Sequence, residues 1–181
     1  MTYVTPEPFK VDIPERALID LDERLRKWRP PVRIENDDWA AGTDPDFLAD
    51  LVDHWRHGYD WNRCQEAINR FPNYLVDLGR QRLHFIREPG TEVEGAPRPM
   101  PLVITHGWPG SVAEFTKVIG PLTDPAAYGG DPNDSFDVVL ISLPGYGFSS
   151  PLADRGPKSA NILTEEKKQN RTKKTYDTNI D

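Results

Sequence analysis

Along the first seventy residues apolar positions recur every three or four places, and after Pro72 the period changes. Leu18, Leu21, Leu25 and Trp28 follow Ile13-Pro14 with charged residues between them, which predicts an amphipathic helix stopped by Pro30-Pro31. Asp44-Pro45 opens a second helix, whose stripe is Phe47, Leu48, Leu51, Val52 and Trp55 and whose end is Gly58. A third is predicted from Asp60 to about Phe71, with Trp61, Cys64, Ile68 and Phe71 on one side. Beyond Pro72, residues 74–78 and 83–87 read as the strands of a hairpin turning at Gly79-Arg80-Gln81. Residues 88–100 read as loop. The runs 101–105 (PLVIT) and 136–142 (FDVVLIS) are apolar without alternation, the pattern of strands covered on both faces, and Ser111 to about Ile119 reads as helix. Three helices, a hairpin and then strand, helix, strand predict the opening half of an α/β sheet.

Composition changes this picture at the C-terminal end. All five Trp and all seven Phe lie at or before position 148, and residues 152–181 hold one aromatic, Tyr176. That tail is too polar to bury much and is expected to be disordered. The formal net charge of −7 is also uneven: residues 152–181 carry seven Lys+Arg against five Asp+Glu, leaving 15 against 24 for residues 1–151. An acidic body argues against a nucleic-acid surface, which needs clustered cations to displace phosphate counterions. The pairs Lys167-Lys168 and Lys173-Lys174 are interspersed with Glu and Asn and read as solvation. Cys64 is the single cysteine, so no intramolecular disulfide forms and a reducing, cytoplasmic setting is expected. No run approaches the length that spans a bilayer, so no membrane partner is expected.

The chemistry concentrates in VITHGWPGS, residues 103–111. A strand feeding a helix presents its connecting loop at the sheet's carboxyl edge, where ligands meet α/β folds. Gly107 and Gly110 are expected to free the backbone and Pro109 to fix it, while Ser111 and Glu114 fit a capping box that starts the helix. Backbone N–H groups held this way suit an oxyanion hole. A purely structural tight connection is the competing reading of such a loop.

Other candidates carry less. Ser111 lacks a G-x-S-x-G elbow, and its capping role explains it. His54 and His57 stand three apart, yet no further ligand completes a metal set. His84 alternates within a strand and is expected to be partly buried. Gly145-Tyr-Gly147 lacks the third glycine of a dinucleotide loop, and Pro151 stands where a helix should begin. Cys64, at helical spacing from Trp61 and Ile68, reads as a small packed hydrophobe.

Taken together, PFKVDIPERALIDLDERL, HWRHGYDW, FPNYLV with LHFI, ITHGWPGSVAEF and DSFDVVLISLPGYGFSS resemble the epoxide hydrolases of the α/β-hydrolase fold, in the microsomal-like branch with a helical N-terminal extension. The resemblance runs from about Pro8 to Ser150. It implies an α/β fold with three parts: a helical N-terminal extension over 1–72, the first strands of an α/β-hydrolase sheet over 73–151, incomplete, and a polar tail over 152–181. It implies opening of a small-molecule epoxide to a vicinal diol without metal or organic cofactor. An aspartate attacks the oxirane carbon to give an ester while lid tyrosines protonate the departing oxygen, and a histidine then activates water. Trp108 takes the position whose backbone N–H holds the oxyanion, with its side chain on the pocket wall, Pro109 cis, and His106, Gly107 and Gly110 supporting the loop.

The sequence departs from that family after Ser150. No Gly-x-Asp-Trp-Gly elbow, late histidine or lid tyrosine in context follows, and Asp154 sits behind Leu152 where a small residue is needed. The expectation is an N-terminal portion without nucleophile or general base. A catalytically inactive truncated or frame-shifted product, a partner-binding module, or a half completed by a second polypeptide stay open as alternatives. Without the nucleophile strand, 101–105 is expected to present an unpaired apolar edge that favours self-association.

Overall fold

The computed structural model describes residues 4–32, 39–40 and 42–152, so the 153–181 tail and Asp154 lie outside the described residues. The chain divides into two compact units, Val11–Arg70 and the remainder.

The first unit holds α1 (Glu15–Arg26), α2 (Pro45–His57) and α3 (Trp61–Asn69). Each starts where the sequence predicts. Pro14 precedes α1 in an extended conformation, and Arg24 and Arg26 close it, paired one turn back with Asp20 and Asp22 at 2.8 and 2.6 Å. These pairs are exposed and contribute a few tenths of a kcal/mol each. One carboxylate oxygen of Asp44 accepts from the Asp46 and Phe47 amides at 2.9 Å, and Asp60 accepts from Asn62 at 2.9 Å, so both later helices are capped. From α3 the Asn69 side chain accepts from Val11 N–H (2.9 Å) and donates to Val11 C=O (2.8 Å), while Gln65 accepts from Ile13 N–H (2.8 Å). Polar residues of one helix thus serve a neighbouring extended segment as a strand would. Cys64 is half-buried, and its hydrogen bond with Tyr59, helped by burial, pushes the phenol up to about 12. Among the described residues only Val11 and Ile68 of this unit are fully buried hydrophobics.

The second unit is a five-stranded mixed sheet in the order β1-β2-β3-β5-β4. Its members are β1 (Glu7–Phe9), β2 (Asn73–Asp77), β3 (Arg82–Glu88), β4 (Met100–Thr105) and β5 (Phe136–Ile141). The first three neighbouring pairs are antiparallel, whereas β4 and β5 run parallel with Val103 opposite Val139. The β2–β3 hairpin turns at Gly79, whose φ of 81° favours glycine, and Asp77 accepts from its amide at 2.7 Å. Leu75, Leu83, Ile86, Val112, Ile119, Val138 and Leu140 form the core.

Four expectations are corrected here. The strand β1, too short and too polar to show periodicity, was not predicted; it lies within the stretch assigned to the helical extension. The strand β4 is not covered on both faces among the described residues, where Met100 and Val103 remain 61% and 55% exposed; its pairing with β5 alone leaves the open edge that was expected. Residues 111–119 are not one helix but a 3-10 turn, Val112–Phe115, followed by α4 (Ile119–Thr123). Pro121 has no N–H to offer Lys117, so a helix begun at 112 cannot run through it, while in the first turn of α4 its missing donor costs nothing.

The fourth concerns His84, which is fully buried rather than partly so. Asn73 donates its side-chain amide to Phe71 C=O at 2.7 Å, which turns its oxygen to accept from His84 Nε2–H at 3.0 Å. His84 Nδ1 then accepts from the Ser142 hydroxyl at 2.8 Å. Ser149 links the same residues: its Oγ accepts from His84 N–H (2.9 Å) and donates to Ser142 C=O (2.7 Å). Phe9 and Phe148 pack their rings against the imidazole at 5.5 and 5.1 Å. Desolvation lowers His84 from 6.5 to about 4. Between those values the unfolded chain binds a proton that the folded chain refuses, so stability present above pH 6.5 is lost as pH falls toward 4, by about 3 kcal/mol in all. Urea midpoints of the wild type should therefore drop between pH 7 and pH 5, with a shallower drop in His84→Gln from a lower starting point. A wild-type midpoint level across that interval contradicts the assignment.

Candidate active-site loop

Because β4 and β5 are parallel neighbours, the loops leaving them emerge on the same edge of the sheet. The first is residues 106–111 and the second is the LPGYGFSS stretch, 143–150. His106 fastens them together. It is buried at 4% exposure, its Nδ1–H donates to Gly107 C=O at 2.9 Å, and its Nε2 accepts from Leu143 N–H at 3.2 Å. Accepting at Nε2 while donating at Nδ1 requires the neutral ring in one tautomer. Tyr146 closes edge-on over the imidazole at 5.1 Å. With both nitrogens engaged by backbone, His106 positions the loop and offers no base.

The next residues turn through a cis Trp108–Pro109 peptide, as expected for Pro109. The Trp108 N–H donates to nothing among the described residues. Trp108 itself is 83% exposed among the described residues. The two glycines also differ from the expectation that both free the backbone. Neither has positive φ, and a side chain at Gly107 would meet open space. Gly110 is required by close approach: a Cβ there would strike the Glu114 carboxylate and lie 2.9 Å from Gly107 C=O. That carboxylate accepts from Ser111 N–H at 2.8 Å, and Ser111 Oγ accepts from Ala113 N–H at 3.3 Å, completing the capping box.

The second loop is held from below. The Gln81 side chain donates to Ser149 C=O and Arg82 C=O at 2.8 Å each, and Ser149 belongs to the His84 network. Neither Gln81 nor Ser149 was singled out from sequence; the one signal available was a polar residue flanking an apolar run. A 3-10 turn at Gly147–Ser149 follows Gly145-Tyr146. Elsewhere His57 bonds Asp53 at 3.0 Å on an exposed helix face, and no three potential metal ligands cluster among the described residues. No helix of the described residues is long and apolar enough to cross a membrane.

Chemically, the loop offers unengaged backbone donors, the Trp108 N–H with those of Gly107 and Gly110, in a stretch fixed by a buried histidine, a tight glycine contact and a capped turn. Such a donor serves negative charge developing on oxygen. Comparison with known proteins places this loop in context. The family model for the epoxide hydrolase N terminus matches residues 6–115, and that for the α/β hydrolase fold matches 100–176. A Stigmatella aurantiaca (strain DW4/3-1) relative bearing the name "Putative epoxide hydrolase" is 45% identical over 155 residues, covering 86% of this chain and 34% of its own length. Epoxide hydrolase 1 of Oryctolagus cuniculus is 35% identical, with 82% and 33% covered. The crystal structure of juvenile hormone epoxide hydrolase from the silkworm Bombyx mori superposes with a TM-score of 0.76 at 29% identity, covering 90% of this chain and 43% of that one. The chain thus spans about a third of the length of the curated relatives it matches. With the N-terminal family model covering more than half of its residues, this chain belongs to the epoxide hydrolase family, on the α/β-hydrolase fold.

Proposed function

We propose that these residues form the N-terminal portion of an enzyme that hydrolyses a small-molecule epoxide to a vicinal diol through an aspartyl ester. Residues 1–72 are its N-terminal domain and 73–151 the first half of its core, acting in the cytoplasm. The Trp108 N–H, assisted by the loop support of His106, Gly107, Pro109 and Gly110, receives the oxyanion formed when water attacks that ester. The observation that carries this reading is the amide without a partner on a loop clamped by His106. The aspartate, the lid tyrosines and the water-activating histidine come from outside residues 1–151. His84 and His106 are unsuited to the last role, one buried and the other engaged at both nitrogens.

Two measurements bear on this. The 181-residue chain incubated with styrene oxide should form diol no faster than buffer, and a rate above background contradicts the assignment of the nucleophile. In a chimera joining residues 1–151 to the C-terminal two-thirds of the Stigmatella relative, Trp108→Phe keeps the amide and should retain activity within about fivefold. Trp108→Pro removes the donor and should lower kcat about 10²- to 10³-fold. Equal losses in the two variants argue against the backbone role.

The open side of β4 favours a second element of the proposal, association between copies through this edge. Met100 and Val103 are exposed beside a row of backbone groups unpaired among the described residues. Sedimentation of the purified chain should show species larger than a monomer, and Val103→Lys should shift them toward the monomer. A monomeric wild type at micromolar concentration removes this element.

A further inference from the structure

The Trp108 N–H is distinguished by what stands behind it. It shares a peptide unit with the Gly107 C=O, and that carbonyl accepts from His106 Nδ1–H at 2.9 Å. On its far side the imidazole accepts from Leu143 N–H at 3.2 Å. That N–H in turn shares a peptide unit with the Ser142 C=O, which accepts from the Ser149 hydroxyl at 2.7 Å. Ser149 Oγ finally accepts from His84 N–H at 2.9 Å. These four hydrogen bonds run head to tail from β3 to the active-site loop, through two side chains and two peptide units.

Every link points the same way. Each group accepts at one end and donates at the other, so the dipoles add and the last positive end is the Trp108 N–H. Neighbouring bonds in such a chain polarise one another, strengthening each by about 10–30%. The direction cannot reverse at His106, because a backbone N–H on one side and a backbone carbonyl on the other require the neutral ring protonated at Nδ1. Burial of His84, Ser149, Ser142 and His106 keeps water from competing along the way. Ser149 is the link that a substitution opens without altering either histidine.

We propose that Ser149 is a positioning residue for ester hydrolysis, its hydroxyl orienting and polarising the Trp108 N–H through the Ser142–Leu143 peptide and His106. The proposal rests on the reading of that N–H as the oxyanion donor. It assigns the second loop a part in the chemistry of the first: removing the Ser149 hydroxyl weakens the charge presented to the oxyanion and leaves the substrate's ground state untouched.

Nuclear magnetic resonance of the ¹⁵N-labelled 181-residue chain tests the connection without substrate. In the wild type, His106 should be neutral and protonated at Nδ1, with a coupling across the hydrogen bond between its Nε2 and the Leu143 amide nitrogen. A charged ring, an Nε2-protonated ring or no coupling overturns the proposal, whatever becomes of any variant. Ser149→Ala with wild-type circular dichroism should shift the Trp108 amide signal, and an unmoved signal also overturns it. In the chimera carrying the C-terminal two-thirds of the Stigmatella relative, Ser149→Ala should lower kcat about three- to tenfold with KM within about twofold. The same substitution in the Trp108→Pro background should cost nothing more, since the donor it acts through is gone. An equal loss in both backgrounds overturns this proposal alone, whereas a kcat unchanged by Trp108→Pro overturns the oxyanion reading and this proposal with it.

Discussion

The parallel pairing of β4 with β5 is the constraint from which the rest of the sheet unit follows. Antiparallel neighbours would send their exits to opposite edges; parallel ones bring residues 106–111 and 143–150 together. Once adjacent, the two loops share a single buried imidazole, which donates to one and accepts from the other. The first loop is held by His106, by the Ser111–Glu114 cap and by the close approach at Gly110, while the Gly107, Trp108 and Gly110 N–H groups donate to nothing among the described residues.

Beneath the second loop, a chain of buried polar side chains ties β2, β3 and β5 to its far end. His84, Asn73, Ser142 and Ser149 place donors and acceptors in a region otherwise built of Ile86, Val138 and Leu140. Such a network is costly if any member loses its partner, and each member here has one. Its value lies in specificity: an apolar core would tolerate a shifted loop, whereas these hydrogen bonds fix residue 149 relative to β3. The two histidines of the sheet unit thus do related work, one clamping loop to loop, the other clamping loop to strand.

The helical unit is organised differently. Its helices are amphipathic and the later two are capped by Asp44 and Asp60, yet apart from Val11 and Ile68 its apolar residues stay partly exposed among the described residues. Capping and ion pairs make the helices without making a core. The half-exposed Leu51 and Trp55 are the clearest sign of apolar surface that the unit does not cover from within.

Much was legible in the sequence because it depends on neighbours along the chain. Helix starts follow from Asp44, Asp60 and prolines, the hairpin from Gly79, and the capping box from residues three apart. The family was legible through motifs that are themselves local. What the sequence could not settle depends on residues far apart. Whether PLVIT is covered depends on which strands lie beside it, and its apolar run is the same whether Val103 is buried or 55% exposed. The glycines at 107 and 110 look equivalent in the sequence, and only the Glu114 carboxylate folding back separates them. His84 and His106 each read as one histidine near a strand, but their roles are set by Ser142, 58 positions away, and Leu143, 37 away. Local hydrogen bonding fixed the elements, and long-range hydrogen bonding, invisible until the strands were paired, decided what the two histidines hold together.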